Sequence, residues 1–110
     1  MKKGLFSLTN LSIKRKEDFD LVYQKGKKFS FSFYSIFFVE SEEIKFAFSI
    51  PKRIGKAVYR NRRKRILREF FRREFFNLKT GYYIFHLFRK PPDEVSEKKE
   101  LEEIFSYLKK

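Results

Sequence analysis

Hydrophobic and polar positions alternate strictly from Ile44 to Ile50. A period of two is that of a strand with two unlike faces. Ile44, Phe46, Phe48 and Ile50 form the face expected against a core; Lys45, Ala47 and Ser49 form the other. The second face is small or polar, which leaves room for something flat or thin. Pro51 ends the strand. Upstream, residues 29–40 are dense in aromatic and β-branched side chains and read as one strand or two, with Ser35, Phe37 and Val39 alternating with Ile36, Phe38 and Glu40. The polar stretch Ser41-Glu42-Glu43 between these runs predicts an antiparallel hairpin. Residues 82–88 are almost continuously apolar, as expected of a strand buried on both faces after a helical crossover. His86 lies within that run and reads as a core or edge histidine.

Three segments carry the helical period instead. Residues 16–25 place Glu17 and Asp18 in a first turn, where the helix dipole favours acids, and Gly26 just past the end. Phe19 and Tyr23, four apart, share one face, while Leu21 and Val22 point elsewhere. In the second segment, starting near Lys56 or Ala57, Tyr59, Ile66, Leu67 and Phe70 fall on one arc. Arg60, Lys64 and Arg68 follow another, flanked by Asn61, Arg65 and Arg72; Arg63 and Phe71 fit neither. In the third, residues 94–109, Val95, Leu101, Ile104, Phe105 and Leu108 supply the apolar stripe, after a break at Arg89-Lys90-Pro91-Pro92. With residues 1–13 as a basic arm, the expected order is α-β-β-β-α-β-α: an α+β sandwich forming one domain over 1–110. Helices are expected on one side of the sheet, with the small-residue face open to a ligand.

Charge sharpens this picture. The chain of 110 residues has a formal net charge of +13. Residues 52–73 contain Lys52, Arg53, Lys56, Arg60, Arg62, Arg63, Lys64, Arg65, Arg68, Arg72 and Arg73 against a single acid, Glu69, so the charge is concentrated in one site. Arg60 to Lys64 fall in the first two turns of the second helix, the end that already carries about +0.5 of dipole charge. Selection for stability alone would place acids there. Guanidinium groups crowded around exposed backbone N–H groups suit phosphate, and the composition points to a polyanion, nucleic acid ahead of an anionic membrane.

The remaining residues exclude most other chemistry. There is no cysteine and only one histidine, so disulfides, thiolate metal sites and histidine-based triads are not expected. The four glycines are scattered, so there is no phosphate loop. The acid pairs Glu17-Asp18, Glu42-Glu43, Asp93-Glu94 and Glu102-Glu103 fit helix starts, turns and solvated faces. Met1-Lys2-Lys3 is followed by Ser7, Thr9, Asn10 and Ser12, which breaks any signal-peptide core. No apolar run reaches the ~20 residues that cross a bilayer, and a cytoplasmic location is expected. The chain is expected to hold nucleic acid, with phosphates on the basic helix and bases or sugars against aromatics elsewhere, and to perform no chemistry itself.

Residues 60–69, Arg60-Asn61-Arg62-Arg63-Lys64-Arg65-Ile66-Leu67-Arg68-Glu69, resemble the signature of the bacterial ribonuclease P protein subunit. The preceding residues 49–58 resemble that family's upstream segment. Glu17-Asp18-Phe19 with Val22-Tyr23 and Gly26 resembles its first helix, and Gly81-Tyr82-Tyr83-Ile84 with Arg89-Lys90-Pro91 its last strand. The departures are Pro51, where a small polar residue is usual, Arg63, where an apolar residue is common, and a short hairpin turn. The resemblance implies the same α-β-β-β-α-β-α sandwich with a left-handed β-α-β crossover, although right-handed crossovers are the general rule. It implies a protein that joins a catalytic RNA, ribonuclease P RNA, in removing the 5′ leader of precursor tRNA, with Mg2+ held mainly by the RNA and no protein partner or membrane. It implies that Lys52, Arg53, Lys56, Arg60, Asn61, Arg62, Lys64, Arg65 and Arg68 contact that RNA. It also implies that Phe19, Tyr23 and Phe37, with Ala47 and Ser49, line a cleft for the single-stranded leader. Two other readings compete: a ribosomal or RNA-chaperone-like binding module without linked catalysis, and a membrane-surface protein.

Overall fold

The computed structural model describes residues 11–109; the first ten residues of the expected basic arm lie outside them. The element order is α1 (Lys16–Lys25), β1 (Lys27–Ser30), β2 (Tyr34–Glu40), β3 (Lys45–Ser49), α2 (Ala57–Glu74), β4 (Gly81–Leu87) and α3 (Glu94–Leu108), the α-β-β-β-α-β-α order expected. The four strands form one sheet in the order β1-β2-β4-β3. β1 and β2 form an antiparallel hairpin, β2 pairs antiparallel with β4, and β3 pairs with β4 in parallel after the α2 crossover. The hairpin expected across Ser41-Glu42-Glu43 is therefore absent: β4 inserts between β2 and β3 and takes the inner edge of both. This central place explains its nearly continuous apolar sequence.

One face of the sheet carries the main core. Ile36, Phe46, Tyr83, Phe85 and Leu87 meet Ile66, Leu67, Phe70 and Phe71 of α2 and Leu101, Ile104, Phe105 and Leu108 of α3. The alternation in β3 is as expected: Phe46 and Ile50 are buried, Ile44 and Phe48 pack against them, and the Phe46 and Phe71 ring centroids lie 4.3 Å apart. Phe71, which fitted neither face of the helical wheel, is fully buried.

The α3 stripe differs from expectation. Val95 is 78% exposed, and the buried positions include two carboxylates, Glu97 and Glu100. Glu100 accepts the backbone N–H groups of Ser32, Phe33 and Tyr34 at 2.9, 2.7 and 3.0 Å, satisfying the turn between β1 and β2. Glu97 accepts the Tyr34 hydroxyl at 2.8 Å and lies 3.1 Å from Nη1 of Arg63. Arg63 is only 3% exposed, which is why it sat badly among the solvated basic residues of α2: it is a charge on the core face, paired from α3. Burial disfavours its charge, but Glu97, Tyr59 and Glu94 more than offset this and hold its pKa raised.

The other face is not left bare, as a one-sided arrangement of helices would require. α1 lies on it, with Val22 fully buried against Ile84 and Ile13, and with Phe19, Phe37, Val39, Ala47 and Tyr82 packed around them. Residues 11–13 run beside β3, where Ile13 N–H donates to the Phe46 carbonyl at 2.9 Å. Gly26 ends α1 with ordinary negative φ, so its need is for space: a Cβ would press on the carbonyls of Val22 and Phe38. That close approach fixes where α1 ends over the sheet, and so which part of the face stays open.

Candidate nucleic-acid interface

The basic helix α2 begins at Lys56 with no side-chain cap and no acid in its first turn. At 100° per residue, Asn61, Lys64, Arg65, Arg68 and Arg72 fall within an arc of about 100° directed away from the core. Asn61, Arg65 and Arg68 are exposed and Lys64 is half-buried; among the described residues Lys64, Arg65 and Arg68 form no ion pair. Arg72 pairs with Glu69 at 2.9 Å. Upstream, Pro51 carries the carbonyl that accepts Ile54 N–H at 3.1 Å, closing the short turn Lys52–Ile54 that exposes Lys52 and Arg53.

The remaining expected contacts are differently placed. Nε of Arg60 donates to the Gly55 carbonyl at 3.0 Å, and Nη2 of Arg53 to the Phe88 carbonyl at 2.9 Å. Arg62 turns towards α3, where Nε and Nη2 donate to both oxygens of Glu94 at 2.5 and 2.9 Å. Nη2 of Arg63 donates to the same carboxylate at 2.6 Å. The hydrogen bond from Arg62, then that from Arg63, hold Glu94 at a pKa of about 2. Glu94 thus occupies Arg62 much as a phosphate would.

On the opposite face of the sheet a half-buried strip beside α1, Phe37, Val39, Ala47, Ser49, Tyr82 and His86, forms the candidate groove. Phe19 is half-buried, and Tyr23, 41% exposed, meets Phe37 edge-on with centroids 4.8 Å apart. The register sets Phe37, Ile84 and Ala47 in one row across β2, β4 and β3. The next row is Ser35, His86 and Ser49. Tyr23, Phe37, Ala47 and Ser49 are therefore brought together as expected, with Phe19 in the same cluster. Lys28 lies beside Phe37, its Nζ 5.6 Å from the ring centroid.

Sequence reading missed the polar end of this groove. His86 Nδ1 lies 3.0 Å from Ser49 Oγ, and Ser30 Oγ lies 3.1 Å from Ser35 Oγ. Burial lowers the His86 pKa, and the charges of Arg53 and Lys28 lower it further. The alternation of Tyr82, Ile84 and His86 with Tyr83, Phe85 and Leu87 was the available signal, hidden by the apolar run. Also missed was the Arg62–Glu94–Arg63–Glu97 chain, whose sign was the misfit of Arg63. Among the described residues no group of three or more His, Cys, Asp or Glu is placed to hold a metal ion, and no helix is long and apolar enough to cross a membrane.

The family described as Ribonuclease P matches residues 9–110. The ribonuclease P protein component of Nitratiruptor is 36% identical over 74 residues, covering 67% of this chain and 68% of that protein. That of Alkaliphilus metalliredigens is 31% identical over 102 residues, 91% of either chain. In fold, the chain is similar to the RNase P protein of Staphylococcus aureus, with a TM-score of 0.73 at 21% identity over 89% of this chain and 91% of that one. It is also similar to the RNase P protein of Thermotoga maritima, with a TM-score of 0.69 at 23% identity over 88% and 94%.

Proposed function

The chain belongs to the ribonuclease P protein component family, a subunit of the enzyme of tRNA 5′ maturation, and from that premise we propose how its two surfaces divide the work. The outward face of α2, with Asn61, Lys64, Arg65 and Arg68, joins Lys52, Arg53, Lys56 and Arg60 in binding ribonuclease P RNA through phosphates. Arg62 adds to this set when it exchanges Glu94 for a phosphate. The groove lined by Phe19, Tyr23, Phe37, Ala47 and Ser49 takes the unpaired 5′ leader of precursor tRNA. The observation that carries this division is that α2 and the groove lie on opposite faces of one sheet, so the RNA partner and the leader are held at the same time.

In this reading the chain orients the substrate and the RNA does the chemistry. Four carboxylates of residues 93–100 are already engaged: Glu94 by Arg62 and Arg63, Glu97 by Tyr34 and Arg63, Glu100 by three backbone N–H groups, and Asp93 by Ser96 N–H at 2.7 Å. Such a donor set does not fit Mg2+, and the ion is assigned to RNA phosphates. Guanidinium and ammonium groups on α2 lower the repulsion between RNA strands. The exposed ring of Tyr23 and its neighbour Phe37 suit the stacking of single bases rather than a duplex backbone.

Reconstitution with a bacterial ribonuclease P RNA at low magnesium tests the proposal, since neutralisation by α2 then matters most. Faster cleavage of precursor tRNA on adding the chain is the expected result. RNA binding without any gain in cleavage would overturn it in favour of a plain RNA-binding module.

A further inference from the structure

The segment Arg89-Lys90-Pro91-Pro92 follows β4, and neither of the two surfaces uses it. Its last three residues form one wall of a cavity of about 650 Å³, and the start of α2 forms the other. Ligand sites usually measure about 300–1,000 Å³. Val58, Tyr59, Pro91 and Pro92 give the cavity an apolar lining, with Lys56 and Lys90 beside them. Val58 is 83% exposed there. Two cations lie over the Tyr59 ring. Arg63, 4.4 Å from the centroid, is buried and held by Glu94 and Glu97. Lys90, 5.0 Å from it, is exposed and forms no ion pair among the described residues. A Cβ on Gly55 would come within 2.8 Å of the ring, so a glycine leaves the ring its place. The acids of the rim are engaged: Asp93 accepts Ser96 N–H, and Glu94 accepts from Arg62 and Arg63. Lys56 and Lys90 are therefore the open charges of the cavity.

Resting on the reading of α2 as the RNA-binding face, we propose that this cavity takes one unstacked nucleotide of ribonuclease P RNA, with its base on the Tyr59 ring in place of Lys90 and its phosphates on Lys56 and Lys90. The cavity shares Lys56 and Arg62 with the RNA-binding face, so an RNA strand held on that face continues into it. The cover of the ring is an exposed lysine, and a cation over an exposed ring is worth less than a base stacked on one. Once displaced, the Lys90 ammonium stays beside the base, where a phosphate oxygen gives it the charged partner that it lacks. Loops and bulges of a folded RNA supply bases whose faces are free to stack in this way. A second copy of this chain would bring a further charge of +13 to the same place and be repelled.

The test measures the affinity of the full chain for ribonuclease P RNA, intact and with single bases removed position by position. Tyr59→Leu keeps apolar bulk without the ring and should weaken binding of intact RNA roughly five-fold to over a hundred-fold, the worth of one stacked base. Tyr59→Phe, which keeps the ring, should bind as wild type does. Lys90→Gln should lower the slope of log affinity against log salt by about one. Base removal gives the readout that a packing role would not move: one abasic position should weaken wild type by the Tyr59→Leu factor and cost Tyr59→Leu nothing further. Val58→Glu serves if Tyr59→Leu does not fold. It places an acid at the mouth of the cavity and in the first turn of α2, where the helix dipole favours it, and it should also abolish the sensitivity to that position. Tyr59→Leu binding as wild type does, or a scan in which no position loses its effect in the cavity variants, would overturn the assignment. Arg65→Ala in the same series separates this from the reading of α2: if it weakens binding and the cavity variants do not, the RNA-binding face stands and only the cavity falls.

Discussion

Arg63→Met removes one partner of a buried ion pair and leaves the other. Arg63 and Glu97 are 3% and 0% exposed and 3.1 Å apart. Without the guanidinium, Glu97 keeps only the Tyr34 hydroxyl, and burial, which already raises its pKa, acts with less opposition. Breaking a buried pair in this way costs about 3–5 kcal/mol, a large share of the roughly 5–15 kcal/mol that holds a small domain together. With a urea m-value of about 2 kcal/mol/M, the midpoint should fall by about 2 M. The variant Arg63→Met/Glu97→Met/Tyr34→Phe replaces the whole buried cluster with apolar groups of similar size and should recover most of the loss, because no charge or hydroxyl is then stranded. Urea unfolding of wild type, single and triple variants measures this coupling directly. The triple variant should also bind ribonuclease P RNA as wild type does, since the outward face of α2 is untouched. A single variant within about 1 kcal/mol of wild type, or a triple variant no more stable than the single, would refute a structural role for the pair.

Arg65→Ala should reduce the slope of log affinity against log salt for ribonuclease P RNA by about one; titration at several salt concentrations checks this, and an unchanged slope removes Arg65 from the contact set. Arg62→Ala should weaken assembly less than Arg65→Ala and lower the melting temperature slightly, because its guanidinium is bound to Glu94 rather than free; thermal unfolding and RNA titration of the two variants decide between them. Glu94 has a folded pKa of about 2 against an ordinary 4.5, so its stabilisation is present above about pH 4.5 and lost as pH falls towards 2. Denaturation of Glu94→Gln and wild type should therefore differ at pH 7 and converge near pH 2.

Local signals in the chain carried most of the fold. α1 occupies residues 16–25 because its acids, its apolar face and Gly26 are all neighbours in sequence. The hairpin predicted across residues 41–43 fails for the converse reason: the turn signal is local, but β4, which separates β2 from β3, arrives some 40 residues later. Tyr23 and Phe37 could be named as candidates, yet their 4.8 Å contact depends on where α1 crosses the sheet, and Gly26 fixes that through space. Nothing near Glu97 and Glu100 in sequence marks them as buried, because their partners, Arg63 and the residue 32–34 backbone, lie more than 30 residues away. The poor fit of Arg63 on its helix was the one legible trace of that network.

The central claim, that an aromatic groove holds the leader while α2 holds the RNA, is tested most directly by substrate affinity as a function of leader length. The chain is reconstituted with ribonuclease P RNA, and dissociation constants are measured for precursor tRNAs with leaders from none to several nucleotides, for wild type and Tyr23→Ala. One base stacked on an aromatic ring is worth about 1–3 kcal/mol, roughly five-fold to over a hundred-fold. Tyr23→Ala should lose that factor once the leader is long enough to reach the groove, with no change for leaderless tRNA or for binding of the RNA subunit. An equal loss for substrates with and without a leader would contradict the account and make Tyr23 and Phe37 packing residues only.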